Sequence, residues 1–352
     1  MKILIVTDAW HPQVNGVVRT LGQVAHEAPA LGSQVTFLTP DEFRTFPMPS
    51  YPEIRLSLVL PRMIERRLNA AMPDAIHIAT EGPLGQATRR VCLPRGLPFT
   101  TGFHTRFPDY VADRVPFGRR WSSELTWAWL RRFHGPSTAV MAATPSLVQE
   151  LDARRFRNVK LWARGVDADL FRPRESASLN LPRPIFLTVG RLAVEKNVDA
   201  FLRLDLPGSK VVVGDGPARE HLAQRYPEAV FLGAKHSEAL AEIYAASDVF
   251  VFPSLTDTFG LVLLEALASG VPVAAFPAPA PRDVLKAAPV GALDTDLRRA
   301  CLAALDCSRQ DCRDFALTMT WRECARTFLQ HVADGNTSVR QKRAKRLRHA
   351  RL

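Results

Sequence analysis

Short apolar runs that end in glycine or in small polar residues recur along this chain, and they limit its fold more than any other feature. In the first half these runs are Lys2–Thr7, Gln34–Thr39, Ile76–Ile78 and Phe99–Phe103. A helical pattern, Val17–Leu31, lies between the first two runs. Short apolar runs of this kind are typical of buried parallel strands, and strand–helix units that repeat predict a doubly wound sheet.

The same pattern starts again in the second half of the chain. The segment Leu161–Pro173 leaves a strand and has the composition of a hinge. The runs that follow it are Pro184–Val189, Lys210–Val213, Val230–Leu232, Val249–Phe252 and Val271–Ala275. A chain of 352 residues is long enough for two domains of ordinary size.

We therefore predict an α/β protein with two Rossmann-like, doubly wound domains that face a cleft. The expected domains are residues 1–162 and 163–339, and a basic tail follows over residues 340–352. Ligands of such sheets bind beyond the carboxyl ends of the strands, so the residues that end each strand are the candidate site residues.

The run Val249–Phe252 ends in a small polar loop that contains Asp257. A helix is predicted to start near Phe259, and a helix N-terminus attracts anions. Glu265, farther along that helix, can point back toward the cleft and accept hydrogen bonds from a ribose. Gly270 is expected to end the helix.

Two cationic side chains follow the run Pro184–Val189. Gly190 lets the backbone approach a ligand closely, and Arg191 and Lys196 then offer two positive charges in one loop. Two fixed cations in one loop can bind a phosphate group and stabilise negative charge that develops on it.

Three further stretches have small or polar residues at the ends of predicted strands. Gly214 and Gly216 form a turn after the run Lys210–Val213. Gly16 joins the first strand to the first helix, where it permits close approach of the backbone to a phosphate. His104 directly follows the run that ends at Phe103.

Taken in order, these stretches resemble the retaining GT-B glycosyltransferases of the family-4 type, and the resemblance covers nearly the whole chain. It rests on Gly-Arg-Leu…Glu-Lys at 190–196, on Gly-Asp-Gly-Pro at 214–217 and on two acids around Phe259-Gly260-Leu261. The family usually has glutamate where this chain has Asp257. Thr320-Trp321 resembles the start of the last helix, which in these folds crosses back to the N-terminal domain.

The resemblance implies a role for each candidate residue. His104, Arg191, Lys196 and Asp257 are the expected catalytic residues, and the two cations among them would hold the donor pyrophosphate. The implied donor contacts are Gly16 and Gly190 at the phosphates, Gly214 and Gly216 at the nucleotide, Glu265 at the ribose, Asp257 with Phe259, Gly260 and Leu261 at the sugar, and His104 beside the hexose.

The implied reaction is the transfer of a hexose from a UDP- or GDP-linked sugar with retention of configuration. The expected acceptor is a membrane lipid such as diacylglycerol. A soluble polysaccharide or a small glycoside is an alternative acceptor. A nucleotide-sugar epimerase-hydrolase, which shares the fold, is an alternative enzyme. A protein that binds the donor without turnover is a third reading, and the intact cation pair disfavours it.

The net charge of +11 is unevenly distributed along the chain. Residues 1–162 carry +7 and residues 340–352 carry another +7, whereas residues 163–339 carry −3. The basic N-terminal half and the tail are therefore expected to be drawn to an anionic membrane surface. The charge density of the tail favours disorder unless such a surface pairs with it.

Basic and aromatic residues concentrate in two stretches of the first half, 62–68 and 119–133. Tryptophan and arginine together suit the headgroup boundary of a membrane. In an alternative reading, four residues spaced by four form a stripe that faces the core, and they are Trp121, Leu125, Trp129 and Phe133. Trp10 and His11 are candidates to line the opening for the acceptor.

Other classes of protein are disfavoured by what the sequence lacks. There is no GxGxxG pattern, so nicotinamide or flavin binding is poorly supported, and no nucleic-acid recognition motif is present. Five cysteines without a CxxC pair argue against a disulfide framework and a zinc site, and we expect neither a metal nor a cofactor. The first run turns polar too early for a signal peptide. We expect a cytoplasmic protein, peripheral on the inner face of the cytoplasmic membrane.

Overall fold

The computed structural model describes residues 1–12, 15–48, 51–104, 119–286 and 288–349. The chain forms two compact units. Unit 1 comprises Met1–Ala163 together with Arg322–Leu352, and unit 2 comprises Arg164–Trp321.

Unit 1 is built on a parallel sheet of six strands in the order β2-β1-β5-β6-β7-β8, and β3 pairs antiparallel with β4 in a separate hairpin. Its strands are β1 Lys2–Val6, β2 Gln34–Leu38, β3 Thr45–Met48, β4 Tyr51–Ser57, β5 Ala75–Ile78, β6 Phe99–Phe103, β7 Val140–Ala142 and β8 Val159–Leu161. The helices between them are α1 Gly16–Glu27, α2 Pro61–Ala71, α3 Pro83–Arg95, α4 Arg119–His134 and α5 Pro145–Ala153. Strands β5 and β6 are buried along their whole length, as expected of a parallel sheet that is covered on both faces.

Unit 2 has a second parallel sheet of six strands, in the order β11-β10-β9-β12-β13-β14. Its strands are β9 Ile185–Val189, β10 Ser209–Val213, β11 Val230–Phe231, β12 Val249–Phe252, β13 Val273–Ala275 and β14 Gly291–Leu293. Its helices are α6 Val198–Leu202, α7 Arg219–Arg225, α8 Ser237–Ala246, α9 Leu261–Ala268, α10 Pro279–Leu285, α11 Leu297–Ala304 and α12 Arg309–Leu317. Numbered within the unit, this strand order is that of the Rossmann fold.

The last helix, α13 Trp321–His349, packs on unit 1. Phe328 packs edge-on against His77 with ring centroids 4.9 Å apart, and the side-chain amide of Asn336 donates to the Asp74 carbonyl at 2.9 Å. The helix continues into the basic tail, whose composition favours disorder. A helix that is already nucleated by packed residues extends at little cost, which accounts for the difference.

The predicted α/β fold of two Rossmann-like domains is confirmed, and the predicted strands occur at their expected positions. Several boundaries differ, two of them as follows. The predicted helix Val17–Leu31 ends at Glu27, because Pro29 cannot continue an α-helix, and a 3₁₀ turn follows. The strand predicted to start at Val271 starts at Val273.

Two classes of feature are absent from the described residues. None of their helices is both long enough and apolar enough to cross a membrane. They also contain no group of three or more histidine, cysteine, aspartate or glutamate side chains placed to hold a metal ion.

Candidate active site

The sheet of unit 2 has its topological switch point between β9 and β12. From β9 the strand order runs through β10 on one side, and the chain later returns to β12 on the other side. The loops that follow two such strands diverge and open a crevice at the carboxyl edge of the sheet. These loops, 190–197 and 253–260, contain the predicted cations and the first predicted acid.

The loop after β9 is tied to the loop after β12. It contains a 3₁₀ turn, Val194–Lys196, and the half-buried Arg191. The next residue, Asn197, donates its side-chain amide to the Pro253 carbonyl at 3.1 Å. This hydrogen bond connects the two strand ends at the switch point and fixes where Lys196 lies.

Lys196 and Asp257 form an ion pair in this crevice. Lys196 Nζ lies 2.6 Å from Asp257 Oδ1, and the two side chains are 29% and 18% exposed. The other carboxylate oxygen of Asp257, Oδ2, is buried without a hydrogen-bond partner among the described residues. An unsatisfied buried acceptor costs free energy, so this oxygen is poised to accept a hydrogen bond from a ligand.

The glycine turn after β10 fits directly against the loop after β9. A Cβ atom on Gly214 would lie 1.8 Å from the Gly190 carbonyl oxygen, and one on Gly216 would lie 2.5 Å from the Leu192 carbonyl oxygen. The Leu192 amide donates to the Asp215 carbonyl at 2.9 Å. The structure thus brings the two glycine-containing loops together at one edge of the sheet.

Helix α9 begins at Leu261, two residues later than predicted. Gly260 precedes it with φ of +82°, and this left-handed conformation ends any helix that would start at Phe259. A Cβ atom on Gly260 would also lie 3.0 Å from the Phe252 ring. Phe259 is buried, whereas Leu261 is partly exposed.

Glu265 lies in the second turn of α9 and is only 2% exposed. Its Oε2 accepts a hydrogen bond from the Tyr244 hydroxyl at 3.1 Å. Tyr244 is fully buried between the rings of Phe171 and Phe250, and sequence reasoning missed it as a partner of the acid. Contact of Glu265 with a ribose stays a prediction.

Gly16 and His104, the remaining candidates, belong to unit 1. Gly16 is the first residue of α1, and Asn15 Oδ1 accepts hydrogen bonds from the amides of Val17 and Val18 at 3.0 Å each. Two of the first amides of this helix are therefore bonded to its cap. Asn15 is thus the N-cap of α1, and Gly16 is the first residue of the helix.

His104 follows β6 directly and is half-buried. Its imidazole packs edge-on against the indole of Trp162, with ring centroids 5.9 Å apart. The residues that follow it, 105–118, lie outside the described residues.

Asp8, at the switch point of unit 1 between β1 and β5, is a buried acid that sequence reasoning missed. Its carboxylate accepts hydrogen bonds from the Leu84 amide at 2.9 Å and from the Thr80 hydroxyl at 2.9 Å. Burial raises the pKa of Asp8 to about 6, although these bonds oppose the shift. The available signal was its position, since it is an acid two residues beyond the first strand.

A pocket of about 450 Å³ lies beside the end of β1 in unit 1. Trp10 and His11, the two predicted acceptor residues, both line it, together with Asp41 and Arg55. Trp10 packs against Phe37 with ring centroids 4.3 Å apart. An aromatic ring beside an acid and a cation suits a hydroxylated ligand.

Helix α4 exposes a row of large apolar side chains. Trp121 is 73% exposed, Leu125 is 51% exposed and Trp129 is 43% exposed. The reading of this row as a core-facing stripe is therefore wrong for these three residues, although Phe133 is buried. The buried face of the helix is instead formed by other residues, which include Trp127 and Leu130.

Comparison with solved structures places this fold in a known class. Sucrose-phosphate synthase from Thermosynechococcus elongatus has a TM-score of 0.72 at 22% identity, and the match covers 94% of this chain and 97% of that one. Two parallel Rossmann-like sheets with this organisation give the chain an α/β fold of the GT-B type.

Sequence comparison narrows the class to a family. Glycosyltransferase Family 4 matches residues 14–170, and Glycosyl transferases group 1 matches residues 183–305. A GDP-mannose-dependent alpha-mannosyltransferase of Mycobacterium tuberculosis (strain CDC 1551 / Oshkosh) is 33% identical over 311 residues, which are 81% of each chain. The chain belongs to the family-4 glycosyltransferases, and it is an enzyme that uses nucleotide-sugars.

A more distant relative is named for a lipid product. Alpha-monoglucosyldiacylglycerol synthase of Streptococcus pneumoniae (strain ATCC BAA-255 / R6) is 26% identical over 347 residues, which are 87% of this chain and 78% of that relative. The relatives of this chain thus include one protein named for its GDP-mannose donor and one named for a diacylglycerol product.

Proposed function

We propose that the protein is a retaining hexosyltransferase that moves a hexose from a UDP- or GDP-linked sugar onto a membrane lipid such as diacylglycerol. The observation that carries the donor side of this proposal is the Lys196–Asp257 pair at the switch point of unit 2. The pair lies at the edge where a Rossmann-like sheet binds its ligands. There the cation can bind the phosphate of a donor, and the acid can bind the sugar of the same donor.

Lys196 and Arg191 supply the positive charge that the departing diphosphate requires, so no metal or cofactor is needed in this scheme. In the free protein Asp257 neutralises Lys196 at 2.6 Å. A diphosphate carries more negative charge than one carboxylate, so it attracts the Lys196 ammonium more strongly. Asp257 Oδ2, which has no hydrogen-bond partner among the described residues, accepts a hydrogen bond from a hydroxyl of the sugar.

The remaining donor contacts follow the predicted roles. Those residues are Gly190, Gly214 and Gly216 at the nucleotide and its phosphates, Phe259, Gly260 and Leu261 at the sugar, Glu265 at the ribose, and Gly16 and His104 from unit 1 at the phosphate and the hexose. For Glu265, ribose binding requires that the carboxylate keep or exchange its bond from Tyr244.

The transfer step is a displacement at the anomeric carbon of the hexose. The bond from that carbon to the β-phosphate oxygen breaks, and its electron pair stays on the diphosphate. The acceptor hydroxyl oxygen bonds to the same carbon from the same face, and its proton passes to an oxygen of the leaving phosphate. Fixed cations stabilise the charge that develops on the diphosphate.

Two observations support a lipid acceptor and an anionic membrane surface. One relative is named for a diacylglycerol product. In addition, α4 exposes Trp121, Leu125 and Trp129 in one row and carries Arg131 and Arg132 in its last turn. Exposed tryptophans beside arginines suit the boundary between lipid headgroups and acyl chains. The enzyme would then act as a peripheral protein on the cytoplasmic face of the membrane.

The pocket beside β1 favours a second candidate, a soluble glycoside acceptor. The pocket offers an aromatic ring for stacking, a carboxylate that accepts hydrogen bonds and a guanidinium that donates them. The residues that line it include Trp10, His11, Asp41 and Arg55. Such a lining suits a sugar ring better than the single hydroxyl of diacylglycerol.

Both candidates are tested with a panel of radiolabelled donors: GDP-mannose, UDP-glucose, UDP-galactose and UDP-glucuronate. Each is incubated with the enzyme, anionic vesicles that contain diacylglycerol, and a set of soluble methyl glycosides. Label in the organic phase supports the lipid acceptor, and label in a soluble glycoside supports the second candidate. Free hexose or an epimerised sugar, formed without any acceptor, would instead indicate an epimerase-hydrolase.

Lys196→Ala tests the donor site itself. Loss of one preorganised charge-stabilising group typically lowers kcat by about 10²–10³, and we expect a loss of this size with no change in the unfolding midpoint. Lys235→Ala, at an exposed lysine of the same unit, is the matched control and should keep its full rate. Turnover of Lys196→Ala near the wild-type rate would overturn the proposed donor site.

A further inference from the structure

Trp162 lies directly after β8 and is completely buried, although it is one of the largest side chains of unit 1. Its indole Nε1–H donates to the Cys324 carbonyl of α13 at 3.0 Å. The same indole packs on Phe328 of α13, with ring centroids 5.0 Å apart. The last helix therefore fixes the indole both by a directional bond and by ring packing.

The same indole also packs against the imidazole of His104. The two rings are arranged edge to face, with centroids 5.9 Å apart and planes at 72°. This arrangement is one of the two that aromatic rings prefer, because the positive edge of one ring meets the negative face of the other.

Gly102 lies against the imidazole of His104 and limits how far this ring can rotate. A Cβ atom on Gly102 would lie 2.3 Å from His104 Nε2, so the imidazole folds back over the bare Cα of this glycine. Gly102 and Trp162 together restrict how the imidazole can turn. A ring held in this way loses little further rotational freedom when it contacts a ligand.

From these contacts we infer that Trp162 is a positioning residue for His104. It transmits the placement of α13 to the imidazole and holds that ring in the orientation that contacts the transferred hexose. The inference rests on the proposed function for the role of His104, whereas the packing of Trp162 on His104 is independent of it. Groups that contact a reacting sugar must be held within about 0.5 Å of the productive geometry. Packing on Trp162 would hold the imidazole to this precision.

The first test is Trp162→Phe, which keeps a ring against Phe328 but loses the Nε1–H bond and the second indole ring. We expect kcat to fall about tenfold and the donor KM to change less than threefold. The matched control is Trp127→Phe, the same substitution at a buried tryptophan of unit 1 that packs on Phe103 and Phe156. An equal fall of kcat in both variants would mean that Trp162 is only a core residue.

A double-mutant cycle with His104→Asn tests whether Trp162 acts through His104. If it does, Trp162→Phe adds nothing to the loss that His104→Asn already causes, because the group that it positions is gone. If the two losses multiply, Trp162 does not act through His104 and the inference is overturned.

A third measurement does not depend on turnover. In protein with ¹³C-labelled histidine, the ring signal of His104 is identified by its loss in His104→Asn. We expect Trp162→Phe to shift this signal, because the ring current of the indole is removed and the imidazole turns, while Trp127→Phe leaves it in place. An unmoved signal would overturn the positioning role. A moved signal in a protein that turns over no donor would place the fault in the proposed function.

Discussion

Two acids near strand ends, Asp8 and Asp257, differ in what satisfies their oxygens. Both oxygens of Asp8 accept hydrogen bonds, one from the Leu84 amide and the other from the Thr80 hydroxyl. In contrast, Oδ2 of Asp257 is buried without a partner among the described residues. Buried polar groups are normally satisfied within the protein. Asp8 therefore holds the end of β1 against the start of α3, and Asp257 is the acid that a ligand completes.

The raised pKa of Asp8 predicts a specific dependence of stability on pH. The folded protein holds this proton up to a pKa of about 6, above the ordinary aspartate pKa of 3.8, so the folded state binds more protons than the unfolded state between these values. The free energy of unfolding should therefore fall as pH rises through this window, by ~3 kcal/mol for a shift of this size.

Asp8→Asn isolates this contribution, because it removes the titrating proton. Urea unfolding of wild type and variant at pH 4, 5, 6 and 7 should show a wild-type free energy that falls relative to that of the variant. Asp41→Asn, at an exposed acid of the same unit, should leave the wild-type profile unchanged. Parallel curves for wild type and Asp8→Asn would contradict the prediction.

At the scale of elements, the ends of β9 and β10 fit together because one glycine allows it. Gly214 has φ of +144°, and a Cβ there would lie 1.8 Å from the Gly190 carbonyl oxygen. Gly214→Ala must push the two loops apart, and we expect a loss of ~2 kcal/mol or more in unfolding free energy together with weaker binding of UDP or GDP. Urea unfolding and calorimetric titration measure both effects.

The control for that substitution is Gly22→Ala in α1. No atom of the described residues lies within 4 Å of a Cβ at Gly22, and alanine is the better helix former by up to ~1 kcal/mol. This variant should be more stable than wild type and should bind nucleotide normally. If Gly214→Ala matched it in both measurements, the two loops would not be interlocked as described.

Most of the parallel strands could be predicted because each is a short apolar run between turn residues, as with Val249–Phe252. The hairpin of β3 and β4 could not be predicted, because Pro47 and Pro52 within the two strands argue against strand structure. An isolated hairpin tolerates proline at positions that face no neighbouring strand. The short strand β14 has only three residues and no run of its own.

Site residues that directly follow a strand could be predicted from the sequence. Side chains that contact them from another element could not. The positions of Lys196 and Asp257 follow from the strands before them, and their ion pair follows from the neighbouring positions of β9 and β12 in the sheet. The Tyr244 hydroxyl that bonds Glu265 comes from α8, and no spacing in the sequence links the two.

The orientation of α4 was also unpredictable, because apolar residues lie on more than one of its faces. Tertiary contacts at the end of α4 decide which of its faces is buried. Arg89 of α3 donates to the carbonyls of Arg132 and Phe133, and Glu81 bonds the buried His134 at 3.1 Å. These bonds turn Trp127 inward and leave Trp121 and its row exposed.

This row gives a prediction for α4. Trp121→Ser combined with Trp129→Ser should weaken binding to anionic vesicles about tenfold, because two indoles no longer enter the headgroup boundary. The fold should be unaffected, since both side chains are exposed. Vesicle sedimentation measures the effect, with the exposed Leu317→Ser of unit 2 as the control. Equal binding of all three proteins would show that the row does not meet the membrane.

At the scale of the whole molecule, charge is concentrated at the C-terminus. Residues 340–352 contain seven lysines and arginines and no acid. Among the described side chains, those that hold α13 on unit 1 include Cys324, Phe328 and Asn336, which all precede residue 340. A chain that ends at residue 339 should therefore keep its fold and lose only the basic segment.

Removal of residues 340–352 should weaken binding to anionic vesicles at least a hundredfold at low salt. Each basic residue at such a surface contributes ~1 kcal/mol, and a hundredfold change is about 2.7 kcal/mol, so fewer than half of the seven charges need to engage. The difference between the two proteins should shrink as salt shortens the Debye length to ~3 Å at 1 M. Neutral vesicles should bind the full chain and the shortened chain equally.

If the shortened chain bound anionic vesicles as tightly as the full chain at low salt, the tail would contribute no membrane attraction. The exposed row of α4 would then have to supply all of it.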